Sequence, residues 1–407
     1  MSKKKEKTPL TRENWASSFT LIGKAVLKNS KGEDIESVFK IDERSEKSDW
    51  VYNSLYLGVD CGEKYGTVYA EMMGGYGAER QNVIYAHGKD ENGNDDFKNK
   101  IEVAWEDRFN EDVLDEIGDM CFITVGLEKT DKDKTYSTRF LSAYDAIKHV
   151  KEYLEDGMVI NVRGNLKYST YQGNTQVRKN ITSIFLSKAN DESKYAARFT
   201  QSILIDKDSA SLKNIDKDKG VMYVDARVLD YVKEINGVNI SGQYPFLKQF
   251  EYEFADLTNA DRCKRTFNNL FKVKKGVTQI TFDGDFIESG AVVTLTLDDL
   301  PDDIRELVEC DVFTEEQAIA KCSTNGNKER RMVLRSPAVK QVGEEKISVL
   351  QKFEEKYSEA DLIFETANTY VEDEISSDDD LSFNLDDNGA DESSSDSDDM
   401  SWLNELG

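Results

Sequence analysis

Between residues 158 and 186 apolar and polar side chains alternate along two runs separated by one glycine turn, a pattern that fits a long β-hairpin and little else. In the first run Ile160, Val162, Gly164, Leu166 and Tyr168 share one face, while Asn161, Arg163, Asn165 and Lys167 share the other. Gly173-Asn174 supplies the turn, and the return run brings Arg178 and Lys179 beside Lys167 and Tyr171. One face of such a ribbon is core; the other gathers cations and a flat ring. Cations can follow phosphates while a ring stacks on whichever base arrives, so the ribbon suits a single nucleic-acid strand held without base readout. The competing reading is an ordinary hairpin with its charges in water.

The run AYDAIKHVKEYLE ahead of it is an amphipathic helix, so the order is helix, Tyr153-Leu154, Gly157, then Ile160, Val162, Gly164 and Leu166, then Tyr171, Gly173 and Arg178. This order resembles the single-stranded DNA-binding proteins of bacteria and their phages, over about one tenth of the chain. The resemblance implies an OB-fold that coats and protects single-stranded DNA during replication or recombination, here in a divergent, phage-type form. It also implies a use for the other end of the chain. Residues 371–407 carry 14 Asp or Glu and no Lys or Arg, a composition that cannot build a core and reads as a disordered interaction tail. Its tip places Trp402, Leu403 and Leu406 on one helical turn. In the family such a tail recruits replication and repair enzymes and competes for the DNA groove. This one closes Trp402-Leu403-Asn404-Glu405-Leu406-Gly407, not in a short Pro-Phe-like terminus, so the family's host partners do not transfer.

Charge is the main objection to a nucleic-acid partner: the net charge is −26, and the body stays acidic once the tail is set aside. Binding depends on where cations cluster, not on the sum. Clusters stand at residues 3–7, in the hairpin, at Arg262-Cys263-Lys264-Arg265 with Lys272-Val273-Lys274-Lys275, and at Lys328, Arg330, Arg331 and Arg335. No run approaches the roughly eighteen apolar residues of a membrane span, and MSKKKEKTPL lacks a signal peptide's apolar stretch, so the cytoplasm (of a host, if phage-encoded) is expected. Five cysteines without a C-x-x-C favour neither a disulfide framework nor a zinc ribbon. With two histidines and no phosphate-binding G-x-x-x-x-G-K-[ST], no enzymatic chemistry, cofactor or metal is expected.

Most remaining signals are β. Residues 19–27 and 50–60 read as strands, and the second sets Val51, Leu55, Leu57 and Val59 against Trp50, Tyr52 and Tyr56. Residues 66–73 repeat this with Tyr69 outward, so two strands offer rings for stacking, or as the seat of a covering element. The expectation is mainly β with α elements: a basic arm (1–15), an elaborated OB barrel (16–190), a second OB-like β unit (195–298), a helical subdomain (299–365) and the tail (371–407). In the second unit strands are expected over 197–205, 220–234, 246–254, 277–282 and 291–297, and in the subdomain helices over 299–310, 314–322 and 344–363. Expected DNA contacts are Trp50, Tyr52, Tyr56, Tyr69, Arg163, Lys167, Tyr171, Arg178 and Lys179. The alternative is a β-rich scaffold protein whose aromatic faces are subunit interfaces.

Overall fold

The structure, a computed structural model, describes residues 8–29, 31–46, 48–77, 82–129, 135–171, 173–217, 219–235, 237–289, 329–342 and 347–364, with the single residues 305, 308, 310 and 314. Expectations for residues 1–7, 291–297 and 371–407, including Trp402, Leu403 and Leu406, lie outside these, as do nearly all of those for 299–322.

In chain order the first half forms β1 (Ser17–Val26), β2 (Phe39–Arg44), β3 (Val51–Asp60), β4 (Thr67–Tyr76), the hairpin β5 (Val83–Lys89) and β6 (Asp95–Ala104), and helix α1 (Glu111–Glu116). It continues through β7 (Ile123–Lys129), β8 (Thr135–Phe140), helix α2 (Ala143–Tyr153) and the long pair β9 (Val159–Tyr171) and β10 (Asn174–Leu186). There follow β11 (Ala196–Ile205), β12 (Ala210–Asp216), β13 (Val221–Ile235), β14 (Val238–Glu253), helix α3 (Ala260–Leu270) and β15 (Val277–Ser289). Last come β16 (Glu329–Pro337), β17 (Val339–Val342), β18 (Ile347–Leu350) and β19 (Lys352–Tyr357). The chain is mainly β with few helices, and 15 strands join in one large mixed sheet.

Residues 344–363 are a correction: β18, β19 and a short 3-10 turn at Glu359–Leu362 stand where a helix was expected. Leu350, Phe353 and Tyr357 fit a helical stripe, which is what misleads. Pairing with β15, Val277 opposite Tyr357 and Gln279 opposite Phe353, gives the last two their place as a strand, while Leu350 pairs with Val339 of β17.

Two circuits of pairing run through the sheet. β1 pairs β3, β3 pairs β4, β4 pairs β10 in parallel, β10 pairs β9, and β9 returns to β1. Likewise β11 pairs β13, β13 pairs β14, β14 pairs β16 in parallel, β16 pairs β15, and β15 returns to β11. Each circuit carries its helix, α2 or α3, between its third and fourth strands. The circuits are joined edge to edge by β1 and β11, from Ser17 opposite Gln201 to Ile22 opposite Ala196.

Their likeness extends to single residues. Phe19 of β1 lies opposite Gly164 of β9, and Phe199 of β11 lies opposite Gly284 of β15. A Cβ on Gly164 would meet the Asn180 carbonyl oxygen at 1.8 Å and the Phe19 ring at 2.8 Å; on Gly284 it would meet the Phe199 ring at 2.2 Å and the Val333 carbonyl oxygen at 2.5 Å. In both circuits the ladder to the fifth strand breaks register right beside that glycine, between Ile181 and Ser183 and between Leu334 and Ser336. A phenylalanine lying over a glycine at a bulge is therefore built twice. Phe19, Leu57, Ile160 and Ile184 of the first circuit and Phe199, Val224, Phe250 and Phe282 of the second merge into one buried cluster. β5, β6 and α1 hold a small separate core around Val103, Ile117, Phe122 and Leu141.

Because backbone, not a movable side chain, fills the space at Gly164, Gly164→Ala should destabilise the protein by about 2 to 3 kcal/mol, and Gly284→Ala by a similar amount. Gly242→Ala, whose Cβ would meet only the Ile240 carbonyl oxygen at 3.5 Å, should stay within about 0.5 kcal/mol. Urea unfolding of the three variants checks this.

Candidate nucleic-acid interface

The hairpin's inner face is as its alternation requires, with Ile160, Val162, Leu166 and Tyr168 buried. Several of its polar groups meet the second circuit instead of solvent, among them Lys179, which lies opposite Leu166 and so shares the inner face. Asp230 of β13, with a side chain 3% exposed, accepts the Tyr168 backbone N–H at 2.8 Å and lies 3.8 Å from Lys167 Nζ and 3.5 Å from Arg12. Lys179 donates to Glu288 of β15 at 2.8 Å, with both side chains near 10% exposed, and its ammonium sits 4.8 Å from the centre of the Phe286 ring. Arg178 lies 3.9 Å from Glu71. Burial pushes the Glu71 carboxyl up, while Arg178 and Lys179 pull it back. These expected phosphate contacts thus face carboxylates. Tyr171, near the hairpin tip, is 39% exposed.

The four expected stacking rings face each other in pairs. Trp50 stacks on Tyr52 at 4.8 Å between ring centres, and Tyr56 on Tyr69 at 5.0 Å. The Tyr56–Tyr69 pair is half-buried near Glu71, Glu288 and Arg330, and burial raises both phenols above their ordinary value. Glu288 anchors this side of the sheet through its backbone N–H, which donates to the Tyr65 carbonyl. The β16 cations have partners as well: Arg331 binds Glu251 at 2.7 Å, and Arg335 binds Asp285 at 2.8 Å and also Glu253.

Arg163 is different. It is exposed, and it forms one wall of a groove of about 640 Å³ lined by Ile22, Asn161, Phe185, Leu186, Lys188 and Lys194 among others. Strand register explains the grouping. Phe185 lies opposite Asn161, Asn161 opposite Ile22, and Arg163 opposite Thr20, so all project from one face of the sheet. Thr20 in turn lies opposite Arg198 of β11, which is exposed and extends the row of cations onto the second circuit. Sequence reasoning found Arg163 but missed Phe185, Lys188, Lys194 and Arg198. Lys188 and Lys194 sit in a loop beside Asp191 and Glu192 that looks like ordinary solvated surface, and only the fold carries it to Arg163.

A Cys-His-Asp cluster lies apart from this groove. His87 Nε2 is 2.7 Å from Asp95, and Cys121 Sγ is 3.2 Å from His87 Nδ1 and 3.8 Å from Nε2. Sulfur this close to both nitrogens lies over the ring face, off the in-plane lone pair, and burial pushes the thiol up, so the geometry does not activate it. Among the described residues no group of three or more His, Cys, Asp or Glu is arranged to hold a metal.

Residues 83–259 match the model of the YorF family. No curated protein matches the chain. Among solved structures the chain is similar to the wild-type single-stranded DNA binding protein from Thermus aquaticus, at 8% identity and a TM-score of 0.30, covering 68% of this chain and 86% of that one. A deletion mutant of the same protein matches at 10% identity and a TM-score of 0.28, covering 68% of this chain and 88% of that one.

Asp230→Ala would orphan the Tyr168 N–H and remove the carboxylate facing Lys167 and Arg12, and should cost about 3 kcal/mol in urea unfolding. Asp230→Asn, which can still accept that N–H, should cost clearly less. The β16 pairs predict a pH effect. Burial opposes the charge on Glu253, but Arg335 and Arg331 prevail and hold its carboxyl below the ordinary 4.5. Its stabilisation is complete above about 4.5 and is lost as the pH falls through the lowered value. Glu253→Gln should flatten that part of the acid-unfolding profile.

Proposed function

We propose that this chain binds single-stranded DNA and that its two circuits are tandem OB barrels. The five-strand path, the single parallel pairing that closes it and the helix between third and fourth strands agree with that barrel type in both circuits. The observation that carries the functional reading is the groove: Arg163, Lys188 and Lys194 stand around the half-buried Phe185 ring on a solvent-facing surface. A base stacks on Phe185 while the three cations hold neighbouring phosphates, and nothing in this set reads base edges, so the binding is sequence-tolerant. Such a protein coats and protects single strands during replication or recombination, in the cytoplasm of the cell where the DNA is copied. Residues 371–407 then recruit partner proteins through Trp402, Leu403 and Leu406. The scaffold alternative loses its main support because the rings it would use between subunits, Trp50 with Tyr52 and Tyr56 with Tyr69, pair within the chain.

Titration of the full chain with labelled oligo-dT over a range of salt concentrations tests this. Arg163→Ala, Lys188→Ala and Lys194→Ala should each reduce the log-log salt slope by about 0.7. Phe185→Ala should cost about 1 to 3 kcal/mol of binding with the slope unchanged. Lys179→Ala should leave the slope as it is. Absence of binding at low salt, with large assemblies in its place, would overturn the proposal in favour of the scaffold.

A further inference from the structure

A second concentration of positive charge lies away from the groove. Residues 262–275 contain six Lys or Arg and no Asp or Glu, in a chain of 79 acids and 53 bases. The fold turns these cations outward. Asn259 caps α3 by accepting the Arg262 N–H at 3.0 Å, and Cys263, Phe267 and Leu270 face the core, which leaves Arg262, Lys264 and Arg265 exposed. Beyond the helix Phe271 and Val273 are buried, and Lys272, Lys274 and Lys275 between and after them are exposed.

Two further observations mark this surface. Lys275 pairs with Glu355 at 3.3 Å, but among the described residues no carboxylate lies within ion-pair distance of Arg262, Lys264, Arg265, Lys272 or Lys274. Elsewhere this acidic chain neutralises its cations, as at Lys179, Arg331 and Arg335. The rings of the region are also turned away from the surface: Phe271 stacks on Phe282 at 5.5 Å and meets Tyr252 edge-on at 5.0 Å. A single strand would find phosphate partners here but no ring for its bases. A duplex needs no ring, and it presents phosphate charge about every 1.7 Å along its axis, more densely than a single strand.

We infer that the outer face of α3 and the loop after it bind the phosphate backbone of duplex DNA adjoining a single-stranded segment. This rests on the single-strand reading only in placing the duplex beside a single strand; duplex binding by the patch stands separately. The chain then sits at junctions, with single strand in the Arg163 groove and duplex on α3.

The test uses the full chain and three labelled probes: oligo-dT, a blunt duplex, and that duplex with the same oligo-dT as an overhang. The wild type should bind the overhang probe at least about tenfold more tightly than oligo-dT, with a steeper salt slope. The variant Lys264→Glu/Arg265→Glu/Lys272→Glu/Lys274→Glu should lose this gain and its duplex binding while keeping its oligo-dT affinity. Should charge reversal prevent folding, the same four positions changed to Gln give the comparison. Equal wild-type affinity for overhang and oligo-dT, a gain that survives in the variant, or an equal loss on all probes would overturn the inference. If the wild type binds blunt duplex through the patch but not oligo-dT, the groove reading fails and the patch stands as a duplex site.

Discussion

β1 has to serve three neighbours with two edges. One edge pairs β9 from Ser18 to Lys24; the other pairs β11 from Ser17 to Ile22 and then β3 from Lys24 to Val26. The change of partner falls at Gly23, where a Cβ would lie 2.0 Å from the Asp60 carbonyl oxygen, so no other residue lets β3 approach as β11 leaves. Everything that positions the groove follows from this strand. It closes the first circuit, joins it to the second, and sets Arg163, Thr20 and Arg198 in one row across three strands. The joint is sealed by buried polar groups: Gln201 accepts the hydroxyls of Ser17 and Tyr168, each at 2.9 Å. A slip of one residue would turn the row's outward side chains into the core, so the register is strongly determined.

Charge is distributed to the same end. Buried or half-buried cations are wasted on a soluble ligand, and here they brace the fold: Lys179 to Glu288 and Lys167 and Arg12 near Asp230 between the circuits, Arg335 to Asp285 within the second. Breaking one partner of such a buried pair is costly even where the pair itself adds little, so these contacts give the joint its specificity more than its stability. In a chain with so large an acidic excess, attraction of a polyanion depends on where cations cluster. Among the described residues exposed cations cluster at the groove, where Lys194 lies 3.8 Å from Asp191, and on α3 with the loop after it.

The alternation of residues 158–186 was legible because a period of two with one glycine turn has a single local solution. What meets the hairpin's cations was not, because Asp230 and Glu288 are far along the chain and become neighbours of Lys167 and Lys179 only through the β1–β11 joint, and because register puts Lys179 on the inner face beside Leu166. The paired rings on β3 and β4 were legible as an unusual outward set, but not that each would find its partner in the other strand or beside it. The likeness of the two circuits left no run of identities to find. Its marks are a Phe-Thr pair, at Phe19-Thr20 and Phe199-Thr200, and a glycine in the fourth strand of each circuit, separated by different lengths of chain because β5 to β8 are inserted in the first. The cross-strand contact of ring and glycine is the invariant, and no linear scan weighs it.

Equivalence between the circuits also says why the two differ in charge on this face. With Gly164 matched to Gly284, Arg163 and Asn165 correspond to Asp283 and Asp285. Thr20 and Thr200 are the same residue in the same place, yet Thr200 donates to Asp283 at 2.6 Å, and Asp285 is held by Arg335 with Lys64 nearby. The face that is positive in the first circuit is therefore negative in the second, and its charge is satisfied internally. A phosphate chain leaving Arg163 across β1 can use Arg198 but meets carboxylates at the next strand. The second circuit thus ends the row of cations on this face, and its own exposed cations stand instead on α3, where the framework common to both circuits places a helix and where, among the described residues, no carboxylate lies within ion-pair distance of Arg262, Lys264 or Arg265.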